Sequence, residues 1–407
     1  NSELEEMGEI QGAGKAMILR KITLPLVLPA ILSAVILTFS KAIGTFGTIN
    51  YLGSPVQYYT LSSQLYMNIN SRDTQTGFAM AILMIIIASI AVFVNQKLIG
   101  SRKSYATIGG KGGRSTLIGL GKVGRPVITA ALFVFFAVGI IMPIVILVME
   151  SFMLKEGIYS LDNFTLHYWI GESNPQIMEG LPGIFKNDEF INSLFNSLRL
   201  TLVNGVFGTI FGQLLGYITA KGRGRLHGKL VEQLVFIPYL IPSVAFGGIY
   251  LSMFSQPQQI FGVTLVPALY GTFALLTLVS VVKHLPFAAR AGTSNMLQIS
   301  GELEEAATIE GAGFFRRFVK IVFPLSKGGF ISGFMLIFVS IMKELDLIIL
   351  IMTPTTSTLP YLAFRYQNGN SPQASDCVAI VMFSIVFLVY AIANLSGKAD
   401  LAKSMAG

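Results

Sequence analysis

The residues best suited to chemistry in this 407-residue chain are three charged side chains at the end of a long apolar run. Lys343, Glu344 and Asp346 close the run that begins near residue 325. Charged side chains at membrane depth are costly, so they often mark substrate or ion pathways. The two carboxylates offer oxygen ligands to a cation, although residues two apart do not share a helix face. The competing interpretation is an outer-boundary cluster in which Lys343 pairs with Glu344.

Other patterns of nucleotide-binding or catalytic type are weak. Residues 119–124 fit G-x-G-x-x-G, but no strand precedes them and Pro126 opens an apolar run, which favours a flexible basic linker. Residues 110–115 are glycine-rich but lack the G-K-[ST] order of a phosphate loop. With three histidines and the single Cys377, the chain has no internal disulfide and no credible zinc site. The sequence predicts no enzyme activity, no catalytic residues and no resident metal.

The composition predicts a membrane protein built of helices. The chain is 53% hydrophobic and 12% charged with a mean hydropathy of +0.66, whereas soluble domains carry about 25% charged residues. Runs of roughly 20 apolar residues can span a bilayer. We predict eight spans, at 25–49, 76–96, 126–150, 192–219, 232–254, 266–283, 325–345 and 376–396.

The charges between these spans predict their orientation. Segments 97–125 and 220–230 are basic and contain no acid, whereas loop 151–190 is mainly acidic. Because basic loops stay in the cytoplasm, we place those two segments and the tail, 397–407, inside. Residues near 50–75, 151–190, 255–265 and 346–375 are then outside. The net charge of +8 is a topology signal rather than a nucleic-acid footprint. His227 and His284 are expected in solvated loops on the cytoplasmic side.

A segment of the chain occurs twice, 299 positions apart without a gap. The shared residues are Glu3-Leu4-Glu5-Glu6, Gly12-Ala13-Gly14, Lys21-Ile22 and Pro25-Leu26, repeated as Glu302-Leu303-Glu304-Glu305, Gly311-Ala312-Gly313, Lys320-Ile321 and Pro324-Leu325. At the same offset Phe39 falls on Phe338, Pro55 on Pro354 and Asn95 on Asn394. Such a long repeat predicts two homologous halves.

The halves divide the chain into a first half at 1–96, a basic linker at 97–125, a second half at 126–396 and a tail at 397–407. Residue 1 corresponds to Ser300, so the first half shows two spans where the second shows six. We expect about four further spans upstream, on a separate chain or absent from this sequence.

Each repeated segment predicts one or two short helices at the cytoplasmic surface. Acidic Glu302, Glu304 and Glu305 suit a helix N-terminus. Gly311 and Gly313 would break that helix, and a proline would start the next span. One copy alone would be an amphipathic interfacial helix, but two copies at identical spacing favour a shared function.

These residues resemble the EAA loop of ATP-binding-cassette (ABC) importer permeases, whose pattern is E-A-A-x3-G-x9-I-x-L-P. The second copy matches at Glu305, Ala306, Ala307, Gly311, Ile321 and Pro324, and has Phe323 where Leu is usual. The first copy matches at Glu6, Gly12, Ile22, Leu24 and Pro25, and has Met7-Gly8 where Ala-Ala is usual. The resemblance extends over Asn196-Ser197-Leu198 and the span that follows, to Ala220-Lys221.

The resemblance implies an all-α, polytopic type I (MetI-like) importer permease fold with two pseudo-symmetric halves, the first incomplete here. It implies that both loops are coupling helices docking on a dimer of ATPase subunits, which carry the ATP and magnesium. An extracytoplasmic binding protein would deliver the substrate at a multi-pass protein of the bacterial inner membrane, surrounded by lipid. The path between the halves would pass Lys343, Glu344 and Asp346, and Thr45 from the first half.

The substrate is predicted by weaker resemblances. Two fused halves are common among iron(III) and thiamine permeases. Lys343-Glu344-Leu345-Asp346 is similar to the Lys-Glu-Leu-Pro stretch of iron(III) permeases, with Asp in place of Pro. Iron(III) is therefore the first hypothesis, with thiamine, polyamines and anions such as phosphonate or sulfate as alternatives. A membrane channel, or a scaffold whose loops bind another cytoplasmic partner, is the alternative class.

Overall fold

The computed structural model describes residues 2–100, 121–177 and 180–395. The predicted tail, 397–407, and the glycine-rich stretch at 110–115 lie outside the described residues, as does most of the predicted linker. Residues 121–124, which the sequence assigned to that linker, instead form the first turn of a helix, Gly121–Phe136.

The described residues are overwhelmingly helical. In chain order the α-helices are α1 (Ser2–Ile10), α2 (Lys15–Ile18), α3 (Leu24–Gly44), α4 (Gly47–Gly53), α5 (Leu61–Asn70), α6 (Thr74–Gly100), α7 (Gly121–Phe136), α8 (Met142–Glu150), α9 (His167–Ile170), α10 (Asp188–Lys221), α11 (Leu226–Leu240), α12 (Ser243–Phe254), α13 (Phe273–Met296), α14 (Gly301–Ile309), α15 (Phe314–Arg317), α16 (Phe323–Leu325), α17 (Lys327–Met342), α18 (Leu359–Asn368) and α19 (Pro372–Leu395). An antiparallel hairpin, β1 (Gln258–Ile260) and β2 (Val263–Val266), joins α12 to α13.

Most of the predicted spans coincide with long helices. Five described segments are long and apolar enough to cross a membrane: Thr74–Ala91, Gly121–Glu150, Asp188–Lys221, Phe273–Met296 and Pro372–Leu395. Helix α3 occupies most of the first predicted span. Helix α10 has 34 residues, so at 1.5 Å per residue it is about 50 Å long and extends well beyond a hydrocarbon core of about 30 Å.

Two predicted spans are not straight. The span expected at 232–254 consists of α11 and α12, which meet at an angle of 98°, because Ile241 leaves the helical conformation and Pro242 follows it. The span expected at 325–345 is preceded by a bend of 76° between Phe314–Leu325 and Lys327–Met342. Pro324 therefore lies in the short α16, and the long helix begins after Ser326.

The span predicted at 266–283 is shifted along the chain. Residues up to Val266 belong to the hairpin, and α13 runs from Phe273 to Met296. The hydropathy signal stops at Lys283 and His284, but both side chains are buried in the described structure. Charged groups that find partners inside the protein can lie within a helix that hydropathy alone would end.

The repeat register changes by one residue after the repeated segment. Helices α5 and α18 begin 298 positions apart, and so do α6 and α19. Thr60 and Thr358, which precede α5 and α18, have similar extended conformations. The gapless pairing of Asn95 with Asn394 therefore differs from the register of these helices.

The chain divides into two compact units, each of which is discontinuous in sequence. One contains Asn1–Ile43 and Ile85–Ile146, and the other contains Gly44–Met84 and Leu147–Gly407. These units do not coincide with the repeat halves, since residues 44–84 of the first half belong to the same unit as most of the second half. The domain boundaries that the sequence repeat predicts therefore stay a prediction.

Helix α10 lies at the centre of the second unit, where it packs closely on α13 and α17. A Cβ added at Gly212 would lie 2.3 Å from the Ala288 Cβ, and one at Gly216 would lie 2.5 Å from the Thr293 backbone nitrogen. Small residues at four-residue spacing permit such close helix contact. In the sequence, the spacing of Gly205, Gly208, Gly212 and Gly216 predicts this packing, and all four glycines of this stripe are buried on α10.

The residues after α17 are part of the core. Leu347, Ile348 and Ile351 are buried in the same cluster as Leu200 and Val279, although this stretch forms turns rather than a helix. Non-helical backbone at membrane depth is tolerated where protein covers it. The beginning of the segment expected outside at 346–375 is therefore an internal element.

Candidate functional site

The two repeated segments have the same secondary structure at the same offset. Helices α1 and α14 correspond residue by residue at 299 positions, and so do α2 and α15. A π-helical turn follows in each copy, at Leu19–Thr23 and at Phe318–Val322. The sequence predicted one or two short helices with a glycine break in each copy, and the structure has two on either side of that break.

A glycine with a positive φ angle ends the first helix of each copy. Gly12 has φ of 79° and Gly311 has φ of 76°, a conformation that residues with a Cβ rarely adopt. The next amide, from Ala13 or Ala312, donates to the oxygen of the residue five positions earlier, at 2.9 Å in both copies. This is the hydrogen-bond pattern of a glycine-terminated helix, which fixes the turn of each loop locally.

The predicted coupling residues divide between an exposed face and a packed face. Glu6, Gly12, Pro25, Glu305, Ala306, Gly311 and Pro324 are exposed, whereas Ile22, Ala307 and Ile321 are half-buried. Ile10 and Ile309, at equivalent positions, are 85% and 86% exposed. Each loop therefore presents a carboxylate and a bare isoleucine on its outer face, an arrangement suited to a partner protein.

The second loop is attached to the end of α10 through Glu304. The Glu304 carboxylate lies 2.6 Å from the Lys221 Nζ and accepts a hydrogen bond of 2.6 Å from the Tyr217 hydroxyl. Tyr217 also packs against the rings of Phe314 and Phe318. Burial alone would raise the pKa of Glu304, but Lys221 and Tyr217 hold that pKa below its ordinary value.

The first loop is attached to its own span. Glu5, the counterpart of Glu304, accepts a hydrogen bond of 2.5 Å from the Thr23 hydroxyl at the end of the π-helical turn. A Cβ at Gly8 would lie 3.0 Å from the Ile22 Cδ1 and 3.3 Å from the Ile18 Cγ1. Gly8 therefore stands where the family has Ala because the two isoleucines occupy the space of a methyl group.

The charged cluster after α17 has a different pairing from the predicted one. Glu344 faces the Nε2 of His284 at 3.4 Å and accepts a hydrogen bond of 3.0 Å from the Leu347 amide. Lys343 is exposed, so the competing interpretation, in which Lys343 pairs with Glu344, is wrong, because Met342 ends α17 and the chain turns there. His284 is 3% exposed inside α13, so its placement in a solvated loop is also wrong. His227 is exposed as predicted.

The neighbouring Lys283 is held at the break between α11 and α12. Its Nζ donates to the Pro238 oxygen at 2.9 Å and also to the Ile241 oxygen. The last carbonyls of a helix lack intrahelical partners, and a lysine can satisfy them. Sequence reasoning missed both Lys283 and His284, since hydropathy ended the span at these charges.

Asp346 contacts its own repeat counterpart. The Gly47 amide donates a hydrogen bond of 2.9 Å to the Asp346 Oδ1, and the two residues are 299 positions apart. Thr45 is half-buried and its carbonyl accepts a hydrogen bond of 2.7 Å from the Ser62 hydroxyl. Of the predicted path residues, Thr45, Glu344 and Asp346 are half-buried, whereas Lys343 is exposed. Within the described ranges, no three His, Cys, Asp or Glu side chains form a metal-binding group.

Comparison with known proteins identifies the class to which this fold and these loops belong. Residues 1–105 and 208–399 match the family of binding-protein-dependent transport system inner membrane components. The chain belongs to this family. The predicted resemblance and the predicted fold class are confirmed.

The relatives differ in substrate. The ferric transport system permease protein FbpB of Actinobacillus pleuropneumoniae is 22% identical over 412 residues, which cover 99% of this chain and 56% of the relative. The sulfate permease protein CysT of Synechocystis sp. is 26% identical over 50% of this chain and 71% of its own length. The molybdate/tungstate permease protein WtpB of Thermococcus kodakarensis is 28% identical over 50% of this chain and 76% of its own length.

A solved structure supports the fold. The crystal structure of a bacterial ABC transporter that imports the acidic polysaccharide alginate contains a chain similar to this one, with a TM-score of 0.52 and 16% identity. The match covers 66% of this chain and 94% of the other. The present chain spans 56% of the length of the ferric permease.

Proposed function

We propose that this chain is the membrane subunit that couples ATP hydrolysis by separate ATPase subunits to substrate import. The observation that carries the proposal is the pair of identically folded loops, each with an exposed carboxylate and an exposed isoleucine. In this proposal both loops and the C-terminal tail lie in the cytoplasm of a bacterium, and a binding protein docks on the opposite side of the inner membrane.

Helix α10 is suited to transmit motion from the second loop. Its C-terminal end holds α14 through Lys221 and Tyr217. At its N-terminal end, Glu189 forms a bidentate ion pair with Arg365 of α18. The Ser197 hydroxyl also accepts a hydrogen bond of 2.7 Å from the Leu359 amide, at the start of α18. A displacement of α14 would therefore reach α18 through one continuous helix.

The docking surface can be tested with a matched pair of loop variants. The permease is co-purified with its ATPase subunits after Ile309→Asp, which places a charge on the outer face. We expect loss of the ATPase subunits, because an interface core excludes unpaired charges. Phe261, at the tip of the hairpin and also fully exposed, serves as control through Phe261→Asp. Equal retention of the ATPase subunits in both variants would contradict the docking role.

Iron(III) is the substrate that we propose. The match to the ferric permease covers nearly the whole chain, whereas the sulfate and molybdate/tungstate permeases match half of it. Glu344 and Asp346 place carboxylate oxygens in the interior, and such oxygens suit hard cations.

Uptake into proteoliposomes tests the substrate. The permease, its ATPase subunits and its binding protein are supplied with radioactive iron(III) citrate, sulfate or molybdate. ATP-dependent accumulation of iron alone is the expected result. Accumulation of sulfate or molybdate without iron would replace the substrate assignment, and flux without ATP would favour a channel over an importer.

A further inference from the structure

Two residue pairs related by the internal repeat are in direct contact. Gly47 and Asp346, 299 positions apart, share a hydrogen bond of 2.9 Å. Tyr66 and Phe364 occupy the same position in α5 and α18, which are 298 apart, and their ring centroids are 6.2 Å apart at 90°. All four residues belong to the same compact unit.

Such contacts have a geometric consequence. In an object with approximate two-fold symmetry, a residue touches its own counterpart only if both lie close to the axis. The repeat axis of this protein therefore passes near Gly47 and Asp346 and near Tyr66 and Phe364. In transporters built of repeats, substrate crosses at the interface between them.

The residues near this axis are in close contact with one another. A hydrogen bond of 2.9 Å between the Gly47 nitrogen and the Asp346 oxygen is direct contact. The fully buried Phe46 ring is tilted against both aromatic neighbours, with its centroid 4.5 Å from that of Tyr66 and 5.6 Å from that of Phe364. A Cβ at Gly47 would lie 3.0 Å from the Leu345 Cδ2, so this layer is tightly packed.

We infer that Gly47, Asp346 and the ring cluster of Phe46, Tyr66 and Phe364 form the closed gate of the translocation path. The inference rests on the proposed function and specifies which residues must separate for substrate to pass. Asp346 then has two roles. When the gate is closed, its carboxylate accepts the hydrogen bond from the Gly47 amide. When the gate opens, the carboxylate is released towards the path. Phe364 lies on α18, the helix that α10 connects to the second loop.

A reversible cross-link tests the gate. Gly47→Cys and Asp346→Cys are introduced together in a Cys377→Ser background, and the reconstituted transporter with its ATPase subunits and binding protein is oxidised. A Cβ at Gly47 would lie 3.5 Å from the Asp346 Oδ1, which places two cysteines within disulfide reach. We expect uptake to fall by about tenfold or more and to return with reductant, with the linked peptides identified by mass spectrometry.

The matched control is Thr209→Cys with Gly333→Cys, which joins α10 to α17 within the second half. There an added Cβ at Gly333 would lie 3.3 Å from the Thr209 Cγ2, so the geometry is similar but the axis is not crossed. Oxidation of this control should leave uptake unchanged. The gate would be overturned if, with the Gly47–Asp346 cross-link fully formed, uptake continued at the rate measured in the presence of reductant.

A leak measurement decides the matter if the cysteine variant is inactive even when reduced. Liposomes holding the transporter with Tyr66→Ala and Phe364→Ala are assayed for efflux of a small trapped dye without ATP, against Phe383→Ala, an exposed ring on α19. Faster efflux from the double variant alone supports the gate, and equal efflux overturns it. Failure of the unaltered transporter to use ATP would instead contradict the proposed function, while the leak comparison would still test the gate.

Discussion

The two copies of the loop have the same shape but different attachments. In the first copy, Glu5 binds Thr23, which belongs to the start of the same span. In the second copy, Glu304 binds Tyr217 and Lys221, which belong to another helix. Thr23 corresponds to Val322, which has no hydroxyl group, so the second glutamate cannot use the attachment of the first.

This difference separates local from tertiary causes. The helix, the glycine turn and the π-helical turn recur at identical positions because each copy carries the same local signals. The attachment depends on which polar groups neighbouring elements supply. The first loop is therefore tied to the span that it precedes, whereas the second is tied to a helix that extends through the other compact unit.

Reversing the charge of the second anchor should have the largest effect. Glu304→Lys would place a second cation against Lys221, and we expect docking of α14 on α10 to weaken by about 2–4 kcal/mol. Glu5→Lys should cost less, since its neighbour Thr23 is neutral. Uptake and co-purification of ATPase subunits measure the effect. Adding Lys221→Glu should restore function; a double variant as impaired as Glu304→Lys would show that the ion pair is not the anchor.

Alanine at the turn glycines should affect both copies equally. Gly12→Ala and Gly311→Ala each force a Cβ into the left-handed conformation, at a cost of about 1–2 kcal/mol. No atom lies within 4 Å of either added Cβ, so the cost is purely conformational. Hydrogen exchange of the amides of α1 and α14 would report it. A clearly larger cost in one copy would mean that tertiary contacts, not backbone strain, determine the turn.

Replacing each anchoring glutamate by glutamine should weaken loop docking to different extents in the two copies. In the second copy it should also change how docking depends on pH. Glu304→Gln should weaken α14 docking by about 1 kcal/mol, and Glu5→Gln should weaken α1 docking by about half as much. The lowered pKa of Glu304 stabilises the docked loop above the ordinary glutamate value, and this contribution is lost as pH falls through the lowered pKa.

Hydrogen exchange of α14 between pH 7 and pH 3 measures this contribution. Protection of α14 should decline towards the acidic end in the unaltered protein and change less in Glu304→Gln. The same acid dependence in both proteins would assign the titration to another group.

The last comparison concerns the helix residue at which the copies differ. Ala307→Gly should destabilise α14 by about 1 kcal/mol. Gly8→Ala gains the same helix propensity but crowds Ile18 and Ile22, so we expect the net change in α1 to be less than about 1 kcal/mol. Local hydrogen exchange again measures both. If Gly8→Ala instead stabilised α1 by the whole helix-propensity gain of about 1 kcal/mol, Ile18 and Ile22 would have to move aside without an energetic cost.

The sequence alone determined the family, the loops and most of the spans. The 299-residue repeat, the positions of Gly12 and Gly311 and the long apolar runs are local signals, and each predicts structure through backbone freedom or the cost of exposing apolar groups to water. The glycine stripe of α10 was also readable, because spacing along a helix determines which residues share a face.

Only the tertiary structure decided how the charged residues are paired. Hydropathy treats Lys283 and His284 as the end of a span, whereas the fold buries them against helix carbonyls and Glu344. The sequence placed Glu344 beside Lys343, but the turn after Met342 directs it towards α13. The contact of Asp346 with Gly47 depends on the meeting of segments 299 residues apart, and no local pattern encodes a distance between chain segments that only packing brings together.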